Sequence, residues 1–398
     1  MAMSELGKSC AVVIGGSVNG YSIIQELHRF GVADIALLEI GLQPARRSRF
    51  ITDCFDIELT AESLAYALKS LHRKYALLVL YPTDEYHLEL CGEIEDKIRD
   101  FCFIPSDLKR MMELQDKSVQ VRLCAEQEVP CPPGVVLDGA ASLCRLRQLE
   151  LPIIVKPIKR YRFAGLPDFR KNYIVRTYED IPTVSRELER WMAEGCRFLA
   201  SEIIPGDGPG LLYAYNAYCT KNGKITHEWC GRKLSQYPDE FGVFSSASNE
   251  TANDLCRQGR KLVSAMQLPG IIQAEFKYNA HDGKLYFIEF SFRSDMWSRV
   301  GTLSGVHLQY AQWCEANGLP FLDEKQDVSR IVHFCNLSFE IENLFRREKY
   351  WKIFRHNVFG GDRFAAAFCS IDDPMPFLTT LKSILRLIAR RLFHRHMG

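Results

Sequence analysis

The sequence contains no run of about 18 consecutive apolar residues, the length that a helix needs to cross a bilayer. Its densest apolar run, at 75–81, has only the length of a strand. There is also no excess of one charge, because 50 Lys and Arg stand against 49 Asp and Glu. That balance argues against a protein that binds nucleic acid through bulk positive charge. The start of the chain shows no charged leader or small-residue cleavage site, which predicts a cytoplasmic protein.

The cysteines lack any spacing that would indicate a metal site. All 14 are scattered between Cys10 and Cys369 without a C-x-x-C pair. Neither a zinc site nor a disulfide framework is indicated, and we expect reduced, mostly buried thiols.

A glycine-rich turn, GGSVNG at 15–20, follows the first apolar run. It does not have the G-x-G-x-x-G pattern of dinucleotide-binding turns. It also does not have the Lys, followed by Ser or Thr, that comes after the last glycine of a phosphate loop. Two interpretations stay open. The glycines either allow a tight, closely packed turn, or the turn holds a small anion or carboxylate at the N-terminus of the next helix.

The order of predicted elements indicates an α/β part followed by an α+β part. Apolar runs at 10–14, 35–38 and 75–80 alternate with helical segments, which predicts a parallel sheet covered on both faces. A charged helix at 107–127 is then followed by several closely spaced strands, with a hairpin signal at Asn222-Gly223. The predicted segments are 1–106, 107–320, an extension at 321–375 and a C-terminal helix at 376–398.

Charged residues cluster on the last two strands of the middle segment, 271–278 and 284–290. Strand alternation places Gln273, Glu275 and Lys277 on one face of the first. It also places Glu289 and Ser291 on one face of the second, with Arg293 two residues beyond. If the strands are neighbours, these groups can hold one or two Mg²⁺ ions. The alternative is a set of cross-strand ion pairs on a solvated face, but the apolar flanking residues favour the metal site.

The order of these features resembles the ATP-grasp superfamily, most closely the predicted carboxylate–amine ligases grouped with D-aspartate ligase. The resemblance covers about residues 8–320. It rests on Lys117, Lys156-Pro157, the segment EIIPGD at 202–207, Arg232-Lys233, Glu275 and the segment EFSFR at 289–293.

The resemblance implies a pre-ATP-grasp domain at 1–106 and ATP held between two α+β lobes of 107–320. It implies these cofactor-binding residues: Lys117 and Lys156 for the α- and β-phosphates, Glu202, Ile203 and Ile204 for the adenine, and Asp207 for the ribose. It implies these metal ligands for Mg²⁺, which Mn²⁺ can replace: Glu275, Glu289 and Ser291.

Catalytic and substrate-binding roles follow from the same resemblance. Arg232 and Lys233 are expected to neutralise the transferring γ-phosphoryl group, and Arg293 to grip the substrate carboxylate through its planar fork. The first domain of such ligases helps to form the substrate pocket, and the candidates there are Gly16, Ser17, Asp84 and Glu85.

Two features depart from the family pattern. Ser291 stands where the family usually has asparagine, so a second metal ion is expected to be held more weakly. The phosphate-covering loop at 159–165, KRYRFAG, is unusually basic and poor in glycine, which puts its closing motion in doubt.

The implied reaction activates a carboxylate as an acylphosphate and joins it to an amine, with a cell-envelope glycan or peptidoglycan precursor as a suggested acceptor. The expected partners are small-molecule carboxylates and amines rather than nucleic acid, and the chain could form a homo-oligomer. Two alternatives keep the fold: a carboxylase or acylphosphate-forming enzyme without an amine acceptor, and a non-catalytic nucleotide-binding module.

The C-terminal segment 377–395 contains five Lys and Arg and no acidic residue. Helical spacing places the cations opposite an apolar face formed by Leu381, Ile384, Leu385, Ile388 and Leu392. Such a helix either packs on the domain or lies on an anionic membrane surface, at the inner face of the membrane. Both interpretations stay open at this point.

Overall fold

The structure, a computed structural model, describes residues 7–104, 106–158, 163, 166–206 and 210–396, with the side chains of the last helix described as far as residue 389. The strands are β1 (Ser9–Ile14), β2 (Ile35–Glu39), β3 (Asp53–Asp56), β4 (Leu77–Pro82), β5 (Cys102–Phe103), β6 (Gly134–Leu137), β7 (Ile153–Pro157), β8 (Tyr173–Val175), β9 (Phe198–Glu202), β10 (Leu212–Cys219), β11 (Ile225–Tyr237), β12 (Val243–Ser248), β13 (Gly270–Asn279), β14 (Lys284–Ser291), β15 (Val332–Cys335) and β16 (Arg363–Ala366). The α-helices are α1 (Val18–Arg29), α2 (Ala61–His72), α3 (Glu85–Glu93), α4 (Glu95–Ile98), α5 (Leu108–Leu114), α6 (Lys117–Glu126), α7 (Ile181–Ala193), α8 (Leu255–Met266), α9 (Arg299–Leu303), α10 (Leu308–Ala316), α11 (Leu337–Arg346), α12 (Trp351–Phe359) and α13 (Pro374–His396).

The first sheet is parallel and has the order β3-β2-β1-β4-β5. The three predicted apolar runs form β1, β2 and β4, with bounds shifted by up to two residues. Each of these strands is almost entirely buried, as expected for parallel strands covered by helices on both faces. The predicted sheet is therefore confirmed.

Close packing accounts for the glycines of the turn after β1. Gly15 has φ +94°, and a Cβ there would come 2.5 Å from Oγ1 of Thr83. A Cβ on Gly20 would collide with the carbonyl oxygen of Gly15. Only glycine fits such positions, so the first of the two interpretations of this turn is sufficient.

Two further sheets follow, and both are largely antiparallel. One has four strands in the order β6-β9-β7-β8, and the other has seven in the order β14-β13-β10-β11-β12-β15-β16. The predicted hairpin at Asn222-Gly223 joins β10 and β11, and Gly223 takes the positive φ of +74° that the turn requires.

The predicted single helix at 107–127 is wrong, because the chain breaks it into α5 and α6. Asp116 lies between them in extended conformation and accepts a hydrogen bond at 2.9 Å from the backbone N–H of Ser118. Such a side chain caps the N-terminus of a new helix. Lys117 consequently begins α6 instead of lying within a longer helix.

The extension at 321–375, which had no predicted structure, is built onto the seven-stranded sheet. Its β15 pairs with β12, and its β16 pairs with β15. The buried carboxylate of Glu340, on α11, fixes the extension to β11 and β12. It accepts hydrogen bonds from the hydroxyls of Ser235, Ser245 and Ser246 at 2.7–2.8 Å, and from Tyr350 and Asn357 of the extension itself.

The C-terminal helix α13 packs on the molecule along one narrow face. Thr380 and Ile384 are buried, and the helix contacts α11 and the short turn at 44–47. The predicted apolar face is split, because Leu385 is 58% exposed and lies on the outer side with Lys382 and Arg386. The side chain of Leu392 lies outside the described residues. Within the described part of the chain, every helix is too short or too polar to span a membrane.

Replacing Glu340 with alanine should destabilise the whole fold. Five donors would lose a buried acceptor, and each unsatisfied buried group costs about 1–3 kcal/mol before relaxation. We expect Glu340→Ala to lower the free energy of unfolding by about 3 kcal/mol or more in urea titrations. The control is Glu348→Ala at an exposed position of the same extension, where a change within about 0.5 kcal/mol is expected. Equal stability of the two variants would contradict this account of the network.

Candidate active site

A cavity of about 420 Å³ lies between the four-stranded and the seven-stranded sheet. Its volume is in the range of small-molecule sites. Strands β7 and β9 form one wall, β11, β13 and β14 form the other, and α6 closes one side. The predicted site residues on these walls are Lys117, Lys156, Glu202, Ile203, Ile204, Lys233, Glu275 and Glu289.

The alternation of side chains along β7 and β11 places Lys156 and Lys233 in the cavity. On β7, Ile153 and Val155 point into the core of the four-stranded sheet, so Ile154 and Lys156 face the cavity. On β11, Lys233 faces the cavity, and its Nζ lies 2.5 Å from Oε1 of Glu275 across the intervening strand β10.

The two predicted metal carboxylates stand side by side. Glu275 on β13 is directly paired in register with Glu289 on β14. Lys156 places its Nζ 3.7 Å from Oε2 of Glu289 and so links the two sheets. The side chains of both glutamates remain partly exposed to the cavity, at 13% and 30%.

Burial and neighbouring charges shift the pKa values of three of these side chains. Lys156, with smaller contributions from Lys117 and other lysines, holds the pKa of Glu289 well below its usual range, despite burial. Burial opposes the charge of Lys233, but Glu275 outweighs it and raises the pKa of this lysine. Burial lowers the pKa of Lys117, although Glu289 favours its charged form. The charged forms of Glu289 and Lys233 are therefore favoured by neighbours of opposite sign.

The described residues offer a divalent cation two adjacent carboxylates, and no group of three or more potential ligands. Adjacent carboxylates on rigid strands are the oxygen donors that Mg²⁺ prefers. The ammonium groups of Lys156 and Lys233 now provide the positive charge beside these carboxylates. Ser291 lies two residues beyond Glu289, opposite Gln273, but it is absent from the described wall of the cavity.

At the other end of the cavity, the strand end predicted to meet the adenine is partly engaged within the protein. Oε1 of Glu202 accepts a hydrogen bond at 2.9 Å from the backbone N–H of Glu150. The N–H of Ile203 donates to the carbonyl of Pro152. Ile203 and Ile204 contribute apolar surface to the wall. Asp207 lies outside the described residues, as do most of the residues of the basic loop at 159–165.

The structure does not bring Arg232 to the cavity wall. Adjacent residues of a strand point to opposite faces, so the side chain of Arg232 leaves the cavity where that of Lys233 enters it. Its guanidinium makes hydrogen bonds of 2.9 Å to both carboxylate oxygens of Glu250. The guanidinium also lies close to Gly210 of the cavity wall, so the role predicted for Arg232 at the γ-phosphoryl group stays a prediction.

Arg293 and the predicted substrate residues meet at the carboxyl edge of the parallel sheet. The Nε and Nη2 atoms of Arg293 lie 3.1 and 3.0 Å from Oε2 of Glu85. Asp84 caps the N-terminus of α3. Ser17 donates to Asn19, whose amide donates to the carbonyl of Ser294 beside Arg293. Gly16 is buried beneath Glu39 and Ala45.

The cavity wall also carries Lys277, which the sequence placed on one face with Glu275 but without a role, and several residues that the sequence analysis missed. The missed residues are Gln120, Lys171, Asn172, Arg176, Asp239, Glu240 and Arg347. Two pairs among them connect separate parts of the chain: Arg176 with Glu240 at 2.5 Å and Arg347 with Asp239 at 2.8 Å. None of the missed residues belongs to a motif.

No family model and no curated protein matches the sequence. Solved structures do match the fold. The chain is similar to an N5-carboxyaminoimidazole ribonucleotide synthetase in complex with ADP, with 14% identity over 86% of this chain and 85% of the other, and a TM-score of 0.64. It is also similar to biotin carboxylase from Campylobacter jejuni in complex with β-γ-ATP, with 14% identity over 79% and 73% of the chains and a TM-score of 0.62.

A third similar structure is the biotin carboxylase domain of 2-oxoglutarate carboxylase from Hydrogenobacter thermophilus, in complex with MgADP, ADP and bicarbonate. It has 15% identity over 81% of this chain and 73% of the other, and a TM-score of 0.62. Similarity of this extent at such low identity establishes a shared fold.

Asp295, just beyond Arg293, offers a test of the electrostatics of this region. Burial raises its pKa to about 7, and Arg293 offsets this only in part. It accepts hydrogen bonds from the amide of Gln273 and the N–H of Trp297. An ordinary Asp has a pKa of about 4, so between about pH 4 and 7 the folded state holds a proton that the unfolded state has released. The free energy of unfolding therefore falls as the pH rises through this window.

We expect Asp295→Asn to remove this decline, on the order of 1 kcal/mol per pH unit. The variant should gain stability relative to the wild type between pH 5 and pH 8 in urea titrations. Asp323→Asn, at an exposed position, is the control and should follow the wild-type profile. Parallel profiles for wild type and Asp295→Asn would show that Asp295 has no raised pKa.

Proposed function

We propose that this chain, which has the ATP-grasp fold, is an ATP-dependent ligase that activates a carboxylate as an acylphosphate and joins it to an amine. One observation carries the proposal. Lys117, Lys156, Lys233, Glu275 and Glu289, from one helix and four strands, converge in one cavity between the two sheets. Structures of similar fold were solved with ADP, MgADP or an ATP analogue, which supports a nucleotide as the ligand.

The charges of the cavity suit phosphoryl transfer, which depends on positioning and charge neutralisation more than on covalent chemistry. Lys117 and Lys156 would contact the phosphates that leave with ADP. Lys233, held on a rigid strand by Glu275, is the cation best placed to offset charge on the transferring group. Arg232 is left out of this assignment because Glu250 engages it.

Mg²⁺, when bound by Glu275 and Glu289, would neutralise charge between the phosphates. In that state Lys156 and Lys233 would exchange their carboxylate partners for phosphate oxygens. Ser291 is not needed as a ligand, since it is absent from the described wall.

The carboxylate substrate is proposed to bind at the carboxyl edge of the parallel sheet, where Arg293 lies. Its guanidinium contacts one oxygen of Glu85. The remaining N–H groups of the planar guanidinium can donate hydrogen bonds to a second carboxylate. Gly16, Ser17, Asp84 and Glu85 stay the candidates for the substrate pocket in this domain. In this proposal residues 1–106 form the substrate-side domain, and 107–320 form the two lobes around ATP.

The runner-up function is a carboxylase or another acylphosphate-forming enzyme without an amine acceptor. One of the similar structures contains bicarbonate, which favours this candidate. A non-catalytic nucleotide-binding module is favoured by Ser291 and by the departure of Arg232 from the cavity. The experiment that separates the three is amine-dependent release of ADP.

Turnover should require Glu289 as well as an amine. We expect the wild type to release ADP only with Mg²⁺ and a matching carboxylate and amine, across a panel of amino acids and uronic acids. Glu289→Gln should lower kcat at least about 100-fold, because the metal would lose one of its two carboxylates. Asp282→Asn, at the exposed tip of the same β13–β14 hairpin, removes the same charge and should leave kcat unchanged.

Release of ADP with bicarbonate and without an amine would establish the runner-up. Binding of ADP without turnover under any combination would establish the non-catalytic module. Full turnover by Glu289→Gln would overturn the metal assignment.

We further propose that the acceptor belongs to the cell envelope and that α13 brings the protein to an anionic membrane surface. The outer side of this helix carries both apolar and cationic side chains, among them Leu378, Leu385, Lys382 and Arg386. Such a mixture suits the boundary between lipid headgroups and acyl chains. Assignment to the group around D-aspartate ligase and any homo-oligomer remain parts of the proposal.

The double variant Lys382→Glu, Arg386→Glu should weaken sedimentation with vesicles rich in phosphatidylserine. Each cation near such a surface contributes about 1 kcal/mol, so reversal of two charges should lower the partition coefficient about 100-fold or more. The control, Lys69→Glu, Arg73→Glu, reverses two exposed cations at the end of α2 and should bind as the wild type does. Equal binding by the two double variants would refute membrane attachment through α13.

A further inference from the structure

The extension that follows the two lobes contributes a side chain to the cavity. Arg347, directly after α11, lies on the cavity wall with Lys233 and Glu275. Its side chain is only 20% exposed. No motif marks this residue, and the family resemblance ends about 27 residues before it. Its position must therefore be explained from the contacts that hold it.

Those contacts hold Arg347 in a fixed place. Glu340 fastens α11 to the three serines of β11 and β12 through hydrogen bonds of 2.7–2.8 Å. Asn343 donates at 3.1 Å to the carbonyl of Gln236, itself a residue of the cavity wall. The guanidinium of Arg347 lies 4.6 Å from the ring centre of Tyr350, which also donates to Glu340. The planar group is thus oriented before any ligand arrives.

The guanidinium of Arg347 has one ion-pair partner among the described residues, Asp239. Its Nη1 is buried and lies 2.8 Å from Oδ1 of Asp239, yet it donates no hydrogen bond of acceptable geometry to any described residue. The partner carboxylate is itself 54% exposed, and such pairs contribute little. A desolvated guanidinium with free donors is a ready site for an anionic oxygen.

We propose that Arg347 binds a phosphate oxygen of the nucleotide in the cavity and gives up its contact with Asp239 to do so. This inference rests on the proposed function, since it takes the ligand of the cavity to be a nucleotide. The extension is then a part of the binding site and not only a structural addition to the sheet.

The preceding residue, Arg346, provides the comparison. Its side chain is 56% exposed, pairs with Glu342 on its own helix, lies over the ring of Tyr237 and is absent from the described cavity wall. The two arginines therefore differ in access to the cavity while sharing the same helix end. A substitution at Arg346 reproduces the loss of charge without the loss of a cavity donor.

The test compares Arg347→Gln, Arg346→Gln and Asp239→Asn in the full chain, with ADP and Mg²⁺ as the calorimetric probe. We expect Arg347→Gln to weaken ADP binding about 10- to 100-fold, because it removes a charged donor to a phosphate oxygen. Arg346→Gln should match the wild type. Asp239→Asn should bind as tightly as the wild type or more tightly, because the competing carboxylate is gone.

Three results would overturn the inference. The first is unchanged ADP affinity in Arg347→Gln. The second is an equal loss in Asp239→Asn, which would indicate an ion pair with a structural role. The third is an equal loss in Arg346→Gln, which would indicate distortion of the helix end. A further variant, Lys156→Gln, distinguishes failure of this inference from failure of the proposed function. If Lys156→Gln binds ADP as tightly as the wild type does, the assignment of the cavity to a nucleotide is itself wrong.

Discussion

The attraction between lysines and glutamates at the junction of two sheets is the constraint on which the site depends. Removing an ion from water carries a penalty of several kcal/mol, which only a well-placed partner offsets. Lys233 and Glu275 meet across β10, and Lys156 reaches Glu289 from the other sheet. The strands must keep their register for these pairs to form. The apolar clusters behind each sheet supply that rigidity, because close-packed interiors resist displacement.

Besides these ion pairs, the cavity wall has an excess of positive charge, which suits the proposed nucleotide. Among the described residues, the wall carries seven Lys and Arg against five Asp and Glu. A polyphosphate would be attracted by the excess, and a divalent cation could take over the carboxylates that the lysines now occupy. The ion pairs hold these side chains in place, so ligand binding would exchange one charged partner for another at groups that are already partly buried. Preorganisation of this kind is a general source of electrostatic catalysis.

Much of the fold and part of the site could be predicted from the sequence, for reasons that particular residues make clear. Alternation along 271–278 and 284–290 predicted that Glu275 and Glu289 share a face, and the observed register pairs them directly. Alternation along β11 should also have separated Arg232 from Lys233, because this strand continues to Tyr237. The motif grouped these two residues by their order in the sequence, whereas the strand places them on opposite faces. The break between α5 and α6 was missed because Asp116 acts as a cap inside a run of good helix formers.

The residues that no pattern could indicate are those brought together by long-range contacts. The distance in sequence between Ser235 and Glu340 is more than one hundred residues, yet their hydrogen bond of 2.7 Å helps to determine where Arg347 lies. The boundary that the family resemblance suggested at residue 320 separates β15 and β16 from the sheet to which they belong. Because β11 carries both Lys233 on the cavity wall and Ser235 beneath α11, any shift of the extension would move the strand that positions the lysine. The shape of the cavity therefore depends on the extension as well as on the two lobes.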